Sequence, residues 1–154
     1  MKYSEQKLDL TTIRTQECVV AHCIAADLSW GSGIAPIIIR KMYDSENACR
    51  YKCSTNPSGF TGDLKSGDIM VINASNGTFI NLITKTHSWD KPTYQDFTET
   101  LVKLRNYMQD VGYKKLTMPK IGCGLDRLEW SVVSQIIRGV FCDTDIEITI
   151  ACWP

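Results

Sequence analysis

The chain has 154 residues, of which 44% are hydrophobic and 22% are charged. This is the composition of an ordinary folded domain with a single core, so we expect one domain over residues 1–154. Lysine plus arginine and aspartate plus glutamate both number 17, which leaves no net charge. The balance excludes a general attraction for nucleic acid or for an acidic membrane.

The sequence shows no signal for a membrane location. No apolar run approaches the roughly 20 residues that a helix needs to cross a bilayer. The N-terminal residues 1–7 are polar, unlike a signal peptide. We therefore expect an intracellular protein, cytoplasmic or nuclear, with no membrane partner.

Seven cysteines are present, an odd number. They fall in or beside apolar runs or singly elsewhere, which is typical of free thiols in a reducing compartment. Cys49 and Cys53 have a spacing that could suit a metal, but neither His22 nor His87 follows at the distance that zinc ligands keep. The sequence predicts neither disulfides nor a metal site.

Runs rich in β-branched residues alternate with helical patterns along the chain, which predicts helices packed on a central sheet. The predicted strands cover residues 2–10, the weakest of them, and then 18–24, 68–73, 79–85, 115–118 and 146–151. The predicted helices cover residues 33–43, 93–110 and 127–140. Asn76-Gly77 is a strong hairpin signal between two of the strands, so that pair should be antiparallel and the sheet mixed.

The helix over residues 93–110 has the clearest signals. Thr93 can cap its first turn, and Gly112 follows it as a stop. Apolar residues between Tyr94 and Met108 keep helical spacing, so one face of this helix should pack on the sheet.

Residues 116–126, LTMPKIGCGLD, have the pattern of a buried strand that enters a glycine turn before a helix. Gly122 and Gly124 remove side chains where a ligand could lie against the backbone, and a helix N-terminus attracts anions. A second glycine segment, residues 31–36, could close on a neighbouring phosphate. The alternative interpretation is a capping box from Asp126 to Glu129 with no ligand.

Two side chains near these loops could do chemistry. Lys85 ends an apolar strand before a polar loop, where it could bind phosphate or attack a carbonyl-like carbon; it could also be a plain exposed lysine. Cys123 lies in the glycine loop near a predicted helix start, which would lower the pKa of its thiol. Its simpler role is that of a small residue in a tight turn.

Five segments carry a resemblance to a known family. They are Ala21-His-Cys-Ile24, Gly31-Ser-Gly-Ile-Ala35, Leu82-Ile-Thr-Lys85, Lys91-Pro-Thr-Tyr94 and Met118-Pro-Lys-Ile-Gly-Cys-Gly-Leu-Asp-Arg-Leu-Glu-Trp130. In order and spacing the chain resembles the macrodomain family, most closely the branch related to the terminal ADP-ribose protein glycohydrolase. The resemblance covers nearly the whole chain, and its last segment is long and specific.

The resemblance implies an α/β class fold, a three-layer α/β/α sandwich around a mixed sheet of about six strands, with ADP-ribose bound at the strand ends. Asp9 would contact adenine, the loop over residues 31–34 the distal ribose and a phosphate, and the loop over residues 121–125 the diphosphate. The full implied ligand set is Asp9, His22, Ile24, Gly31, Ser32, Gly33, Ile34, Thr84, Pro119, Ile121, Gly122, Cys123, Gly124 and Leu125.

By resemblance, Lys85 would attack the anomeric carbon of the distal ribose and Asp126 would move protons. The implied reaction releases mono-ADP-ribose from acidic residues and could include deacylation of O-acetyl-ADP-ribose, without cofactor or metal. Three alternatives stay open: a non-catalytic ADP-ribose reader, an ADP-ribose-1″-phosphate phosphatase, or a nucleic-acid de-ADP-ribosylase. We expect a monomer whose partners are ADP-ribose or ADP-ribosylated protein, with nucleic acid only as a modified substrate.

The chain departs from its relatives at two places near the implied site. Leu8 stands where relatives often have glycine before the aspartate, which bears on the adenine contact. In the glycohydrolase branch that the chain resembles, a serine and an acidic residue stand at the positions of Ala25 and Ala26. Asp27 keeps an acidic group nearby.

Overall fold

A computed structural model describes residues 1–13, 15–27, 34–42, 64–74, 77–124 and 126–152. The strands are β1 (Lys2–Lys7), β2 (Thr15–Ala25), β3 (Ile69–Ala74), β4 (Gly77–Lys85), β5 (Lys115–Met118) and β6 (Glu147–Cys152). The helices are α1 (Ala35–Lys41), α2 (Tyr94–Val111) and α3 (Trp130–Phe141), with a short 3-10 turn over Leu10–Thr12.

The strands form one mixed sheet in the order β1-β6-β5-β2-β4-β3. Five of them run parallel, and β3 alone of the six is antiparallel to its neighbour, β4. Ala74 pairs with Gly77, so the hairpin predicted from residues 76 and 77 is confirmed by the register, although Asn76 itself lies outside the described residues. The prediction of a mixed sheet of about six strands is confirmed.

Helices cover both faces of the sheet, and the alternation of side chains along each strand explains the two cores. On one face, β2, β4, β5 and β6 pack against α2 and α3 through residues such as Phe97, Leu101 and Ile137. On the other face, Val20 and Ile83 pack against Ile38 of α1. The interior strand β4 is buried from Thr78 to Thr84, because its two faces meet the two cores. This is the predicted three-layer arrangement.

Both predicted ends of α2 are confirmed. The Asp96 amide donates to the Thr93 hydroxyl at 3.1 Å, which caps the first turn. Gly112 ends the helix in the left-handed region with φ 93°, where glycine carries no steric cost. None of the helices that the structure describes is long and apolar enough to cross a membrane.

The predicted start of the last helix is wrong. α3 begins at Trp130, and its N-cap is Glu129, whose side chain makes no capping hydrogen bond. Asp126 is therefore not a capping residue, and no helix N-terminus follows the glycine loop directly. The reason is tertiary: the carboxylate of Asp126 is bound elsewhere, as the next subsection describes, and Arg127 adopts a positive φ of 60° that a helix does not allow.

Candidate active site

Two adjoining cavities lie at the edge of the sheet where the five parallel strands end. The larger, of about 910 Å³, is lined by residues that include Asp9, Thr11 and Lys41. The smaller, of about 430 Å³, is lined by residues that include Lys85 and Asp126. Both cavities share Ile34, Pro119, Lys120 and Gly124 in their linings. The shared wall makes a two-lobed cleft, with the glycine loop at its junction.

An ion pair occupies the smaller cavity. Lys85 at the end of β4 donates from Nζ to Asp126 Oδ1 at 2.5 Å, and the side chains are only 13% and 14% exposed. The same amine donates to the Ser88 carbonyl at 2.9 Å. Because little water reaches the pair, each charge depends on the other, and removing one partner would leave the other uncompensated. The pair thus holds an amine and a carboxylate against each other inside a cavity.

The loop between β5 and α3 holds Asp126 in this position by anchoring both of its sides in the core. Ile121 and Leu128 are 3% and 5% exposed and belong to the core beneath α2. The Leu128 amide donates to the Gly122 carbonyl at 2.8 Å, which closes the loop on itself. The Glu129 amide donates to the Tyr94 hydroxyl at 3.2 Å, which ties the loop to α2.

The two glycines of this loop have different roles. Gly122 has φ 75°, and a Cβ built there would lie 2.9 Å from Leu128 and 3.0 Å from Phe97. Its lack of a side chain is therefore a requirement of the fold. Gly124 has no heavy atom within 4 Å of an added Cβ and lines both cavities. Its missing side chain leaves backbone accessible where the cavities meet, which is what a phosphate-binding loop needs.

The turn after β4 forms the opposite wall of the smaller cavity. The His87 amide donates to Asp90 Oδ2 and the Asp90 amide to the His87 carbonyl, both at 3.0 Å. The His87 ring stacks on the Trp89 ring with centroids 4.6 Å apart and an interplanar angle of 8°. Trp89 is 78% exposed and lines the cavity. One face of the indole is covered by imidazole, and the rest stands at the mouth of the site.

Asp9 lies in the larger cavity, where Thr11 fixes its side chain. The Thr11 amide and hydroxyl donate to Asp9 Oδ1 at 2.9 and 2.7 Å. These hydrogen bonds favour the ionised form, so they lower the pKa of the Asp9 carboxyl below its usual value. Asp9 also caps the 3-10 turn that follows it. A carboxylate with a set orientation therefore stands at the end of the cleft far from Lys85.

Two of the three cysteines that line the cleft, Cys23 and Cys123, are not activated thiols. Burial raises the pKa of Cys23, and the charge of Asp126 raises it further. Burial also raises the pKa of Cys123, against a smaller lowering by Lys120. The expectation that a helix start would lower the pKa of Cys123 is wrong, because α3 begins seven residues later, at Trp130. Neither thiol is therefore a reactive nucleophile near neutral pH.

The structure brings together most of the residues implied by resemblance. Of the implied residues, those that line at least one of the two cavities are Asp9, Ile24, Ile34, Lys85, Pro119, Ile121, Gly122, Cys123, Gly124 and Asp126. Gly31, Ser32, Gly33 and Leu125 lie outside the described residues, as do Cys49 and Cys53.

His22 and Thr84 are the exceptions. They are 0% and 1% exposed and line neither cavity. Both lie on interior strands of the sheet, between faces covered by the two cores. Burial lowers the pKa of His22 to about 4, so its ring is neutral near neutral pH. The structure thus places the side chain of His22 inside the protein and away from the cleft.

The sequence patterns give Lys120 no role as a site residue, although it lines the smaller cavity. Lys120 lines the larger cavity too, and its amine lies 5.7 Å from the centre of the Trp130 ring. The signal for it was present in the sequence, since a lysine directly precedes the glycine loop. Trp89 lies in a loop that the sequence places beside the cleft, where an aromatic ring could stack on a ligand or serve only in packing. The structure places Trp89 in the lining of the smaller cavity.

Comparison with known proteins identifies the family. The chain is 35% identical over 131 residues to the human ADP-ribose glycohydrolase OARD1, an alignment that covers 85% of this chain and 79% of that protein. The bovine ADP-ribose glycohydrolase OARD1 matches with the same identity and coverage. The uncharacterized protein 032R of invertebrate iridescent virus 6 is 39% identical over 69 residues, 45% of this chain and 69% of the viral protein. No family model matches the chain.

Solved structures agree on the fold. The macrodomain of Mycobacterium tuberculosis DarG superposes with a TM-score of 0.80 at 21% identity, covering 99% of this chain and 97% of that one. Thermosipho africanus DarTG in complex with ADP-ribose has a TM-score of 0.78 at 18% identity, covering 99% of this chain and 42% of that one. The fold is that of a macrodomain. The chain belongs to the macrodomain family, in its terminal ADP-ribose glycohydrolase branch.

The contrast between the two loop glycines can be tested directly. Gly122→Ala should lower the free energy of unfolding by about 1–3 kcal/mol, because the new Cβ meets two core side chains at a positive φ. Gly124→Ala should leave the free energy of unfolding within about 0.5 kcal/mol of the parent. It should nevertheless weaken ADP-ribose binding in calorimetry. Equal destabilisation by both substitutions would contradict these roles.

The buried His22 should make stability depend on pH. Its pKa is about 4 when folded and about 6.5 when unfolded, so the unfolded chain binds more protons between these values. The His22 contribution is present in full above about pH 6.5 and is lost as the pH falls toward about 4. Between about pH 7.5 and pH 5, the parent should lose about 2 kcal/mol of unfolding free energy through this residue.

Urea unfolding of the parent and of His22→Gln at both pH values measures this contribution. The variant should lose about 2 kcal/mol less than the parent over the same interval. His87→Gln is the matched control, because the side chain of His87 is 49% exposed. A His22→Gln variant with the full pH dependence of the parent would show that His22 is not the group responsible.

Proposed function

We propose that this protein binds ADP-ribose and hydrolyses the ester that joins mono-ADP-ribose to acidic side chains of modified proteins. The observation that carries the proposal is the Lys85–Asp126 pair inside a cavity that adjoins a second, larger one. Relatives of the same branch are named ADP-ribose glycohydrolases, which supports a hydrolase with this ligand. The fold shared with a DarTG protein in complex with ADP-ribose supports the same ligand.

The shape of the cleft fits a long ligand with two ends and a charged centre. The adenosine would lie in the larger cavity, where Asp9 can accept a hydrogen bond from the adenine amino group. The diphosphate would lie at the junction, against the exposed backbone at Gly124 and near the amine of Lys120. The distal ribose would then reach the smaller cavity, beside Lys85 and Asp126.

The first chemical step is attack by the Lys85 nitrogen on the anomeric carbon of the distal ribose. The bond from nitrogen to carbon forms as the bond from that carbon to the ester oxygen breaks, and the acidic side chain leaves as a carboxylate with the electron pair. Only the neutral amine can attack. Asp126 lies 2.5 Å from the nitrogen and can take the proton that the amine must lose.

The second step releases ADP-ribose and restores the lysine. Water forms a bond to the anomeric carbon as the bond from that carbon to the lysine nitrogen breaks. Asp126 returns its proton to the departing nitrogen and takes one from the water. The net reaction consumes one water and yields ADP-ribose, the freed carboxylate and one proton, so atoms and charge balance.

O-acetyl-ADP-ribose is a second candidate substrate, because it also carries an acyl ester on the ribose that would lie in the smaller cavity. A comparison of substrates distinguishes the proposed activity from the other activities known for macrodomains. A panel of aspartyl- and glutamyl-linked protein, O-acetyl-ADP-ribose, ADP-ribose-1″-phosphate and ADP-ribosylated oligonucleotide, assayed side by side, assigns the preferred class. Binding of ADP-ribose with no turnover of any of the four would identify a reader and overturn the proposal.

The nucleophile is tested by Lys85→Ala and Lys85→Gln. Release of ADP-ribose from a glutamyl-linked substrate should fall by at least about 10³-fold in both, because the attacking group is gone. Asp126→Asn should lower the rate by about 10²–10⁴-fold through loss of proton transfer. Calorimetry should show that ADP-ribose still binds to all three variants.

Lys91→Ala is the matched control, since Lys91 is an exposed lysine six residues further along the chain. It should keep the parent rate. Thermal melts confirm that each variant is folded, because loss of Lys85 leaves the carboxylate of Asp126 without its partner. A folded Lys85→Gln variant that cleaves as fast as the parent would rule out the covalent role of the lysine.

A further inference from the structure

Ser88 uses both of its main-chain groups beside the ion pair. Its amide donates to Asp27 Oδ2 at 2.8 Å, and its carbonyl accepts from Lys85 Nζ at 2.9 Å. A single peptide segment thus connects an acidic side chain at the end of β2 to the amine at the end of β4. Asp27 lines neither cavity, and this segment links it to the amine.

The backbone fixes Asp27 relative to the strand that carries Lys85. The Ala26 amide donates to the Lys85 carbonyl at 2.9 Å, and the Asp27 amide donates to the Thr86 carbonyl at 3.2 Å. The pairing of β2 with β4 therefore continues two residues beyond the end of β2. Because Asp27 is held on one side of the turn and Lys85 on the other, the contact from Asp27 to the Ser88 amide restrains the residue whose carbonyl accepts from Lys85.

The position of that carbonyl matters because of the geometry of an amine. A neutral lysine amine has two N–H bonds and one lone pair in a tetrahedral arrangement. After Asp126 has taken one proton, its carboxyl group still accepts through the oxygen that carries no proton. Asp126 and the Ser88 carbonyl, which lie 2.5 and 2.9 Å from the nitrogen, are therefore acceptors for the two remaining N–H bonds. When both N–H bonds are accepted, rotation about the terminal C–N bond is fixed and the lone pair has one direction.

We infer that Asp27 is a positioning residue for the hydrolytic lysine. It holds the Ser88 carbonyl in place and thereby directs the lone pair of Lys85 toward the anomeric carbon. This inference rests on the proposed function, because it assumes that the amine attacks. It assigns Asp27 no contact with the substrate, so the residue affects the rate of attack and not the binding of ADP-ribose.

The kinetic test uses Asp27→Ala, Asp27→Asn and the control Asp145→Ala. Asp145 is an exposed aspartate paired with Lys114 at 2.9 Å, and it lines neither lobe of the cleft. Asp27→Ala should lower kcat about 10- to 100-fold, the cost of a misplaced reacting group, with KM and the Kd of ADP-ribose nearly unchanged. Asp27→Asn should recover most of the rate, because its amide oxygen still accepts from Ser88. Asp145→Ala should behave as the parent.

A parent-like kcat in Asp27→Ala would overturn the inference, and so would an Asp27→Asn variant as slow as the alanine variant. Crystal structures of the parent and of Asp27→Ala give a readout that does not need turnover. The contact between Lys85 and the Ser88 carbonyl should be lost in the variant, while the contact to Asp126 remains. If the contact between Lys85 and the Ser88 carbonyl persists in Asp27→Ala, the inference fails even if the parent is a hydrolase. An inactive parent, in contrast, overturns the proposed function.

Discussion

The contact between Lys85 and Asp126 is the interaction on which the site depends. The two residues are 41 positions apart in sequence and come from elements that do not touch in the sheet, since β2 lies between β4 and β5. Parallel strands bring their C-terminal ends to one edge, so a residue ending β4 and a loop following β5 can meet above the end of β2. The topology of the sheet brings the end of β4 close to the loop that follows β5, and this loop carries the carboxylate of Asp126.

The loop that carries Asp126 combines stability and function in one segment. Its two ends are anchored by Ile121 and Leu128 in the core beneath α2, and Gly122 fits against that core with no room for a side chain. Between these anchors, Gly124 and Asp126 face the cleft. The proposed reaction needs its nucleophile and proton acceptor about one hydrogen bond apart, and groups that are already in place need no rearrangement at the moment of reaction.

Much of the fold could be predicted from local patterns, for physical reasons that the structure makes plain. β4 is recognisable because a strand buried on both faces must be apolar along its length, and α2 because Thr93 and Gly112 mark its ends. The start of α3 was not predictable. Asp126 has the sequence of a capping residue, but its carboxylate binds Lys85 from a distant strand, and no local pattern contains that partner.

The candidate site, like the fold, could be predicted only in part. Proximity of Lys85 and Asp126 was predicted by family resemblance and not by composition or spacing. The burial of His22 could not be foreseen, because an apolar run on a strand does not show which of its polar members face the closed side of the sheet. The role of Asp27 was equally hidden, since it acts through the backbone of Ser88, and a main-chain contact leaves no residue pattern in the sequence.

The proposed reaction requires the nitrogen of Lys85 to bond to the anomeric carbon of the distal ribose during turnover. The parent is run on a glutamyl-linked substrate with cyanoborohydride present, and the modified peptide is mapped by mass spectrometry. The glycosylamine that forms at Lys85 is in equilibrium with an imine, in which the bond from the anomeric carbon to the ring oxygen has broken. Cyanoborohydride reduces this imine to a stable amine. ADP-ribose should be attached to Lys85 in the parent, and no attachment should occur in Lys85→Gln. Full turnover with Lys85 unmodified, or attachment at another residue alone, would contradict it.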